Sequence, residues 1–157
     1  KHGRLAEAEA SFKHVLELKQ QVCQGRPEPP PHCELADTLN DLGLVHLKQG
    51  GEKLGDAEAC FRQALQIRVD DGFTVFQRRC GEFPRRPPDP DTAVAYNNLG
   101  LALLKRQKLA EAEECLTLAL QHARRGGHQG LGAPLELANI TRNLATCHTW
   151  MGKDALA

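Results

Sequence analysis

Six cysteines, seven histidines and a cluster of carboxylates are the side chains here that could do covalent, metal or proton chemistry. Cys23, Cys33, Cys60, Cys80, Cys115 and Cys147 contain no CxxC pair, so their spacing does not build a zinc site. An even count also permits a disulfide framework, but a chain of this length buries enough core to stand without staples. The preferred reading is six reduced thiols and an intracellular, cytoplasmic setting. Glu111, Glu113 and Glu114 suggest acid catalysis until Lys105, Arg106 and Lys108 are set beside them. Together they read as the solvated face of a helix. No GxSxG, Walker loop or HExxH occurs, and the glycines do not follow strands as a phosphate cradle requires. The expectation is a non-enzymatic chain with no cofactor and no metal.

The elements that would hold any site are legible in Asn97–Leu120, NNLGLALLKRQKLAEAEECLTLAL. Leu99, Gly100 and Leu103 share one helical stripe, with Asn97, Asn98, Leu101 and Lys105 on another beside it. After a weak turn at Arg106–Lys108, Leu109, Ala112, Leu116 and Ala119 give a second helix its own apolar stripe. Ala112 and Ala119 are small enough for close approach. This pair recurs. Ala112–Leu116–Ala119 repeats Ala57–Phe61–Ala64 and Ala8–Phe12–Val15, while YNNLGLALLKRQ at 96–107 aligns with LNDLGLVHLKQG at 39–50 and TRNLATCHTWMG at 141–152. Gly43, Gly100 and Ala145 are equivalent, and His46 and His148 fall where Leu103 stands. Either histidine could bind a ligand or carry a proton. Because leucine performs the same role once, both are read as large side chains filling an interhelical slot.

The glycine at the turn followed by small, aromatic and small residues, as in Gly3–Leu5–Ala8–Phe12–Val15, resembles the tetratricopeptide repeat. The paired Asn before Leu-Gly and the long Pro- and Asp-bearing connections look most like its kinesin-light-chain-type subclass. The resemblance spans nearly the whole chain. It implies an all-α, right-handed superhelix of antiparallel helix pairs and a habit of binding protein partners, without naming one. The chain departs from the ordinary period of roughly 34 residues: Ala8 to Ala57, Ala57 to Ala112 and Ala112 to Ala157 are steps of 49, 55 and 45. Most of the excess lies in the connections. The turn Gly50–Gly55 is two residues longer than its counterpart, since Gly43 to Ala57 is 14 and Gly100 to Ala112 is 12. It is expected to be longer and looser.

The resemblance also implies that the first helix of each pair lines a concave peptide groove. Carried onto this sequence, the inward positions are Asp37, Asn40, Asp41, Leu44 and Lys48 in the first of these helices. Val94, Asn97, Asn98, Leu101 and Lys105 follow in the second, and Asn139, Arg142, Asn143, Thr146 and Trp150 in the third. Asparagine is a mediocre helix former, so its recurrence there asks for a reason. An amide carries donor and acceptor together, which suits clamping the main chain of an extended peptide without reading its side chains. A branch of the family grips terminal carboxylates with several cations. Val94 and Asn98 stand where that clamp wants basic side chains, which disfavours it here. Leu44, Leu101, Val94 and Trp150 among amides fit an internal linear motif with apolar anchors.

Composition limits the alternatives. The 157 residues are 41% hydrophobic and 25% charged with a formal net charge of zero, an ordinary globular balance with no basic excess to draw the chain onto nucleic acid or anionic membrane. Apolar runs such as Leu99–Leu104 fall far short of the roughly 18 residues of a membrane span. The start at Lys1 reads as a point inside a helix, as in a piece of a longer protein. The expected order is a second helix over 1–22 and an extended connector at Cys23–Pro31. A repeat follows over 33–70, with helices at 33–48 and 54–69, and then an insertion loop over 71–90. A further repeat at 91–125 is capped by Asp91 or Thr92, and the start of another lies at 133–157 with its helix ending at Met151. The insertion carries Phe73 and Phe76 near its start, Arg78, Arg79, Arg85 and Arg86, and PxxP spacings at 84–90. It is either a docking segment or a mobile loop. The reading is a protein-interaction scaffold with a peptide groove. The alternative is a structural spacer or self-association segment, with incompletely covered ends exposing Leu5, Phe12 and Leu144.

Overall fold

A computed structural model of the chain describes residues 2–24, 33–80, 90–125 and 133–154. They form six α-helices: α1 (His2–Gln24), α2 (Cys33–Gln49), α3 (Leu54–Cys80), α4 (Pro90–Lys105), α5 (Leu109–Arg125) and α6 (Ala133–Asp154). Among the described residues there is no strand, so the fold is the all-α one expected from the repeats. The helices divide into two units, residues 1–86 and 87–157.

In the first unit α1 packs on α2, and α2 pairs with α3. Ala36, Leu39 and Ala64 are buried at the centre, with Leu16, Leu35 and Ile67 packed against them. The stripe Ala57–Phe61–Ala64 is wholly buried, as a second helix paired with its first requires. The α2–α3 pair is close because Gly43 has no side chain: a Cβ there would lie 2.6 Å from Phe61 Cε1. Gly50 and Gly51 take φ of 71° and 54°, a conformation open to glycine at little steric cost. A single 3-10 turn, Gly51–Lys53, follows them, with Lys53 donating its N–H to the Gly50 carbonyl at 3.1 Å. The extra residues of this connection are therefore wound into a hydrogen-bonded turn and not a loose one.

In the second unit α4 pairs with α5, and α6 packs on α5 and touches α4. Leu99, Leu103, Leu104, Leu116, Ile140 and Cys147 fill the interior. Gly100 repeats the device of Gly43, since its Cβ would fall 2.7 Å from Leu116 Cγ. Here the connection is short. Gln107 turns left-handed at φ 61°, Lys108 donates to the Leu103 carbonyl at 3.0 Å and Gln107 to that of Leu104 at 2.9 Å. That bond pair is the Schellman closure of a helix C-terminus, made without the usual glycine.

Three local expectations are corrected. α3 runs on to Cys80, well past Val69, because Asp70–Cys80 contains no proline and one glycine, so nothing in the sequence halts the helix until later. Residues 71–80 are thus helical and not loop. α4 begins at Pro90, which puts Asp91 and Thr92 inside its first turn, where a proline ring fits and an acidic residue favours the helix dipole; neither is a cap. α6 extends to Asp154, beyond Met151. The side chains of Phe73 and Phe76, the Pro and Arg spacings at 84–90, the connectors at 25–32 and 126–132, and residues 155–157 lie outside the described residues.

Candidate groove on the first helices

In the first unit the inward stripe belongs to α2. Asp37 and Asp41 are exposed one turn apart, Asn40 and Leu44 are half-buried, and Lys48 is exposed. Asp37 is engaged by Arg68, which comes from α3 and is itself buried. Desolvation, and then the like charge of Asp37, push the Asp41 carboxyl above its usual range, while Lys19 opposes them. Lys19 also donates from α1 to Thr38 Oγ1 at 3.0 Å and to the Glu34 carbonyl at 2.9 Å, which ties α1 across the start of α2.

In the second unit the stripe is shared by two neighbouring first helices, α4 and α6, with α5 behind them. Asn143 Nδ2 donates to Asn97 Oδ1 at 3.0 Å across the seam. Val94 is 37% exposed, Leu101, Thr146, Trp150 and Asn139 are half-buried, and Lys105 is exposed. Arg142 is exposed and donates to Asn139 Oδ1 at 2.8 Å, which holds its guanidinium along the helix. Asn98, expected to line the concave groove with Asn143, is only 9% exposed. It is part of the packing, because α4 has a helix on two sides and little of its surface stays open.

The two histidines part company. His46 is buried and donates Nδ1–H to Gln49 Oε1 at 3.2 Å, filling the slot as expected. His148 is exposed and bonds through Nε2 to Glu113 Oε1 at 2.9 Å, since among the described residues no second helix closes over that side of α6. Cys60 and Cys115 are half-buried at their equivalent places and in no disulfide; Cys147, also in none, is buried and bonded to the Leu109 carbonyl at 3.3 Å. Burial pushes the Cys60 and Cys147 thiols up. The state of Cys23, Cys33 and Cys80 lies outside the described side chains. Among the described residues no three His, Cys, Asp or Glu side chains gather where a metal could be held. No described helix is long and apolar enough to cross a membrane.

Sequence reasoning missed a polar clamp at the other end of the first unit. Glu9 of α1 accepts from Lys13 at 2.7 Å, from Gln49 at 2.9 Å and from Lys53 at 3.2 Å. The Lys13 bond foremost, then Gln49 and Lys53, holds its carboxyl down at about 2. It also missed Arg68 and Glu136, although both stand at repeat-equivalent positions and Glu136 precedes Asn139 by one turn on the inward stripe.

No curated protein matches the chain. Residues 35–70 and 92–125 match the family model of the tetratricopeptide repeat, stretches that hold α2 with the first part of α3, and α4 with α5. Both matched stretches are helix pairs closed by a glycine under the second helix's large side chain, so the chain carries two pairs similar to the tetratricopeptide repeat.

Proposed function

We propose that this chain is a non-enzymatic interaction scaffold of the kinesin-light-chain-like kind, working in the cytoplasm, and that its α4/α6 face binds an extended peptide or linear motif. Tetratricopeptide repeats generally mediate protein–protein interaction, which supplies the class. The observation that carries the finer reading is the Asn143–Asn97 bond. It uses one N–H and one oxygen and fixes both amides at the seam. Each amide keeps further bonding capacity, the Asn97 NH2 and the Asn143 oxygen, suited to the alternating donors and acceptors of a peptide main chain. Val94, Leu101 and Trp150 border the pair and offer anchors for apolar side chains.

The test selects peptides from a randomised display library on the chain and measures their affinity for Asn143→Ala and Leu101→Asp, alongside each variant's melting temperature. Asn143→Ala should lose about five- to hundredfold, the cost of unpaired peptide groups in a partly dry groove, with the fold intact. Unchanged affinity in both variants moves binding off this face. A second reading, self-association, draws on α1, where Val15, Leu18 and Val22 form a stripe 38%, 47% and 48% exposed. Sedimentation against concentration distinguishes it.

A further inference from the structure

The seam between α1 and α2 and the seam between α5 and α6 are the same joint, a second helix meeting the next first helix. Repeat register makes Lys19 equivalent to Arg68 and Ala123, and Glu34 equivalent to Asp91 and Glu136. In the first unit Lys19 Nζ stands 3.8 Å from Glu34 Oε2 and donates to Thr38 Oγ1. In the second unit Ala123 replaces the lysine, and buried Ile140 replaces Thr38. Among the described residues the acid is kept and the cation at the register position of Lys19 is not. Oε1 of Glu136 is buried with no hydrogen-bond partner among the described residues. Desolvation, and then the charge of Asp91, push the Glu136 carboxyl above its usual range. An oxygen sealed in this way is costly unless a charge or a proton meets it.

The location gives the vacancy a use. Glu136 precedes Asn139 and Asn143 at helical spacing, and Asp91 precedes Val94 and Asn98 likewise. The two carboxylates therefore stand at the N-terminal end of the α4/α6 face. We propose that Glu136, with Asp91 beside it, receives a basic side chain, Lys or Arg, from the segment bound along α4 and α6. The proposal rests on the peptide-groove reading above. An incoming ammonium or guanidinium supplies at this seam what Lys19 supplies at the other.

The experiment uses the library-selected peptides. Lys or Arg should recur at one fixed place relative to the apolar anchor, and replacing it with norleucine should weaken binding about tenfold or more. Glu136→Gln, nearly isosteric, should produce the same loss. Ala123→Lys, which rebuilds the sister pair within the chain, should also produce it while raising the unfolding midpoint. Peptides that respond to Asn143→Ala but not to Glu136→Gln or Ala123→Lys overturn this site and leave the groove standing. Failure to select any peptide, or peptides indifferent to all three variants, overturns both.

Discussion

Replacing Gly100 by alanine adds one methyl group to α4 and sets two effects of opposite sign against each other. Alanine is the better helix former by about 1 kcal/mol. Against this, the new Cβ lies 2.7 Å from Leu116 Cγ and 2.8 Å from Cδ2, where carbon atoms prefer about 3.5–4.0 Å. Cγ is anchored close to the backbone, and Leu116 is 0% exposed, so the side chain cannot swing aside and α4 and α5 must part. Forced overpacking costs about 1–3 kcal/mol. Subtracting the propensity gain of about 1 kcal/mol leaves a net loss of between about 0 and 2 kcal/mol. Gly55→Ala is the control, because a Cβ there meets nothing within 4 Å and should be neutral or stabilising. Urea titration followed by Trp150 emission reports on the second unit directly. Leu116→Ala alone should cost about 2–5 kcal/mol through its cavity, and in the Gly100→Ala background it should cost less than the sum, because it removes the clash as well. A Gly100→Ala protein more stable than the parent by the full helix-propensity gain of about 1 kcal/mol, or strictly additive with Leu116→Ala, would refute this account of the close approach.

Two further outcomes are expected. Gln107→Gly relieves a left-handed side-chain residue at the end of α4 and should raise stability by about 1 kcal/mol in the same titration; a loss would mean the glutamine side chain matters more than its φ. For Glu9, a carboxyl held near 2 against an ordinary 4.5 contributes stability that is fully present above pH 4.5 and is lost as pH falls toward 2. Its partners Lys13 and Lys53 are 52% and 40% exposed, so screening reduces the contribution to about 1 kcal/mol. The gap in unfolding free energy between the parent and Glu9→Gln should therefore be open at pH 6 and closed by pH 2, and a gap independent of pH would count against the clamp.

The pairing of helices was legible because each stripe repeats: Ala57–Phe61–Ala64 and Ala112–Leu116–Ala119 predicted which faces would be buried, whereas close approach was expected at Ala112 and Ala119 and its tightest points prove to be Gly43 and Gly100 on the facing helices. Helix ends were read less well. The expected end of α3 at Val69 came from reading the stretch up to Pro90 as one connection, whereas the first proline in it is Pro84 and nothing halts the helix at Val69. The exposures along the expected inward stripe were not legible. Whether Asn98 or Asn143 stays open to a ligand depends on which neighbours cover each helix, and that is decided by packing between repeats. Cross-helix polar contacts such as Glu9 with Gln49 and Lys53 leave no periodic trace, since they join residues some 40 positions apart.

The two helix pairs close through unlike turns, a left-handed glutamine in one and a pair of left-handed glycines with a 3-10 turn in the other, yet Gly43 and Gly100 sit equally tight against their partners. Length at the tip of the pair is thus uncoupled from register along its shaft. Gly51 and Glu52, exposed at the crest of the longer tip, form a natural port for inserted sequence, such as an epitope, a reporter or a second recognition element, that the register of α2 on α3 would not feel.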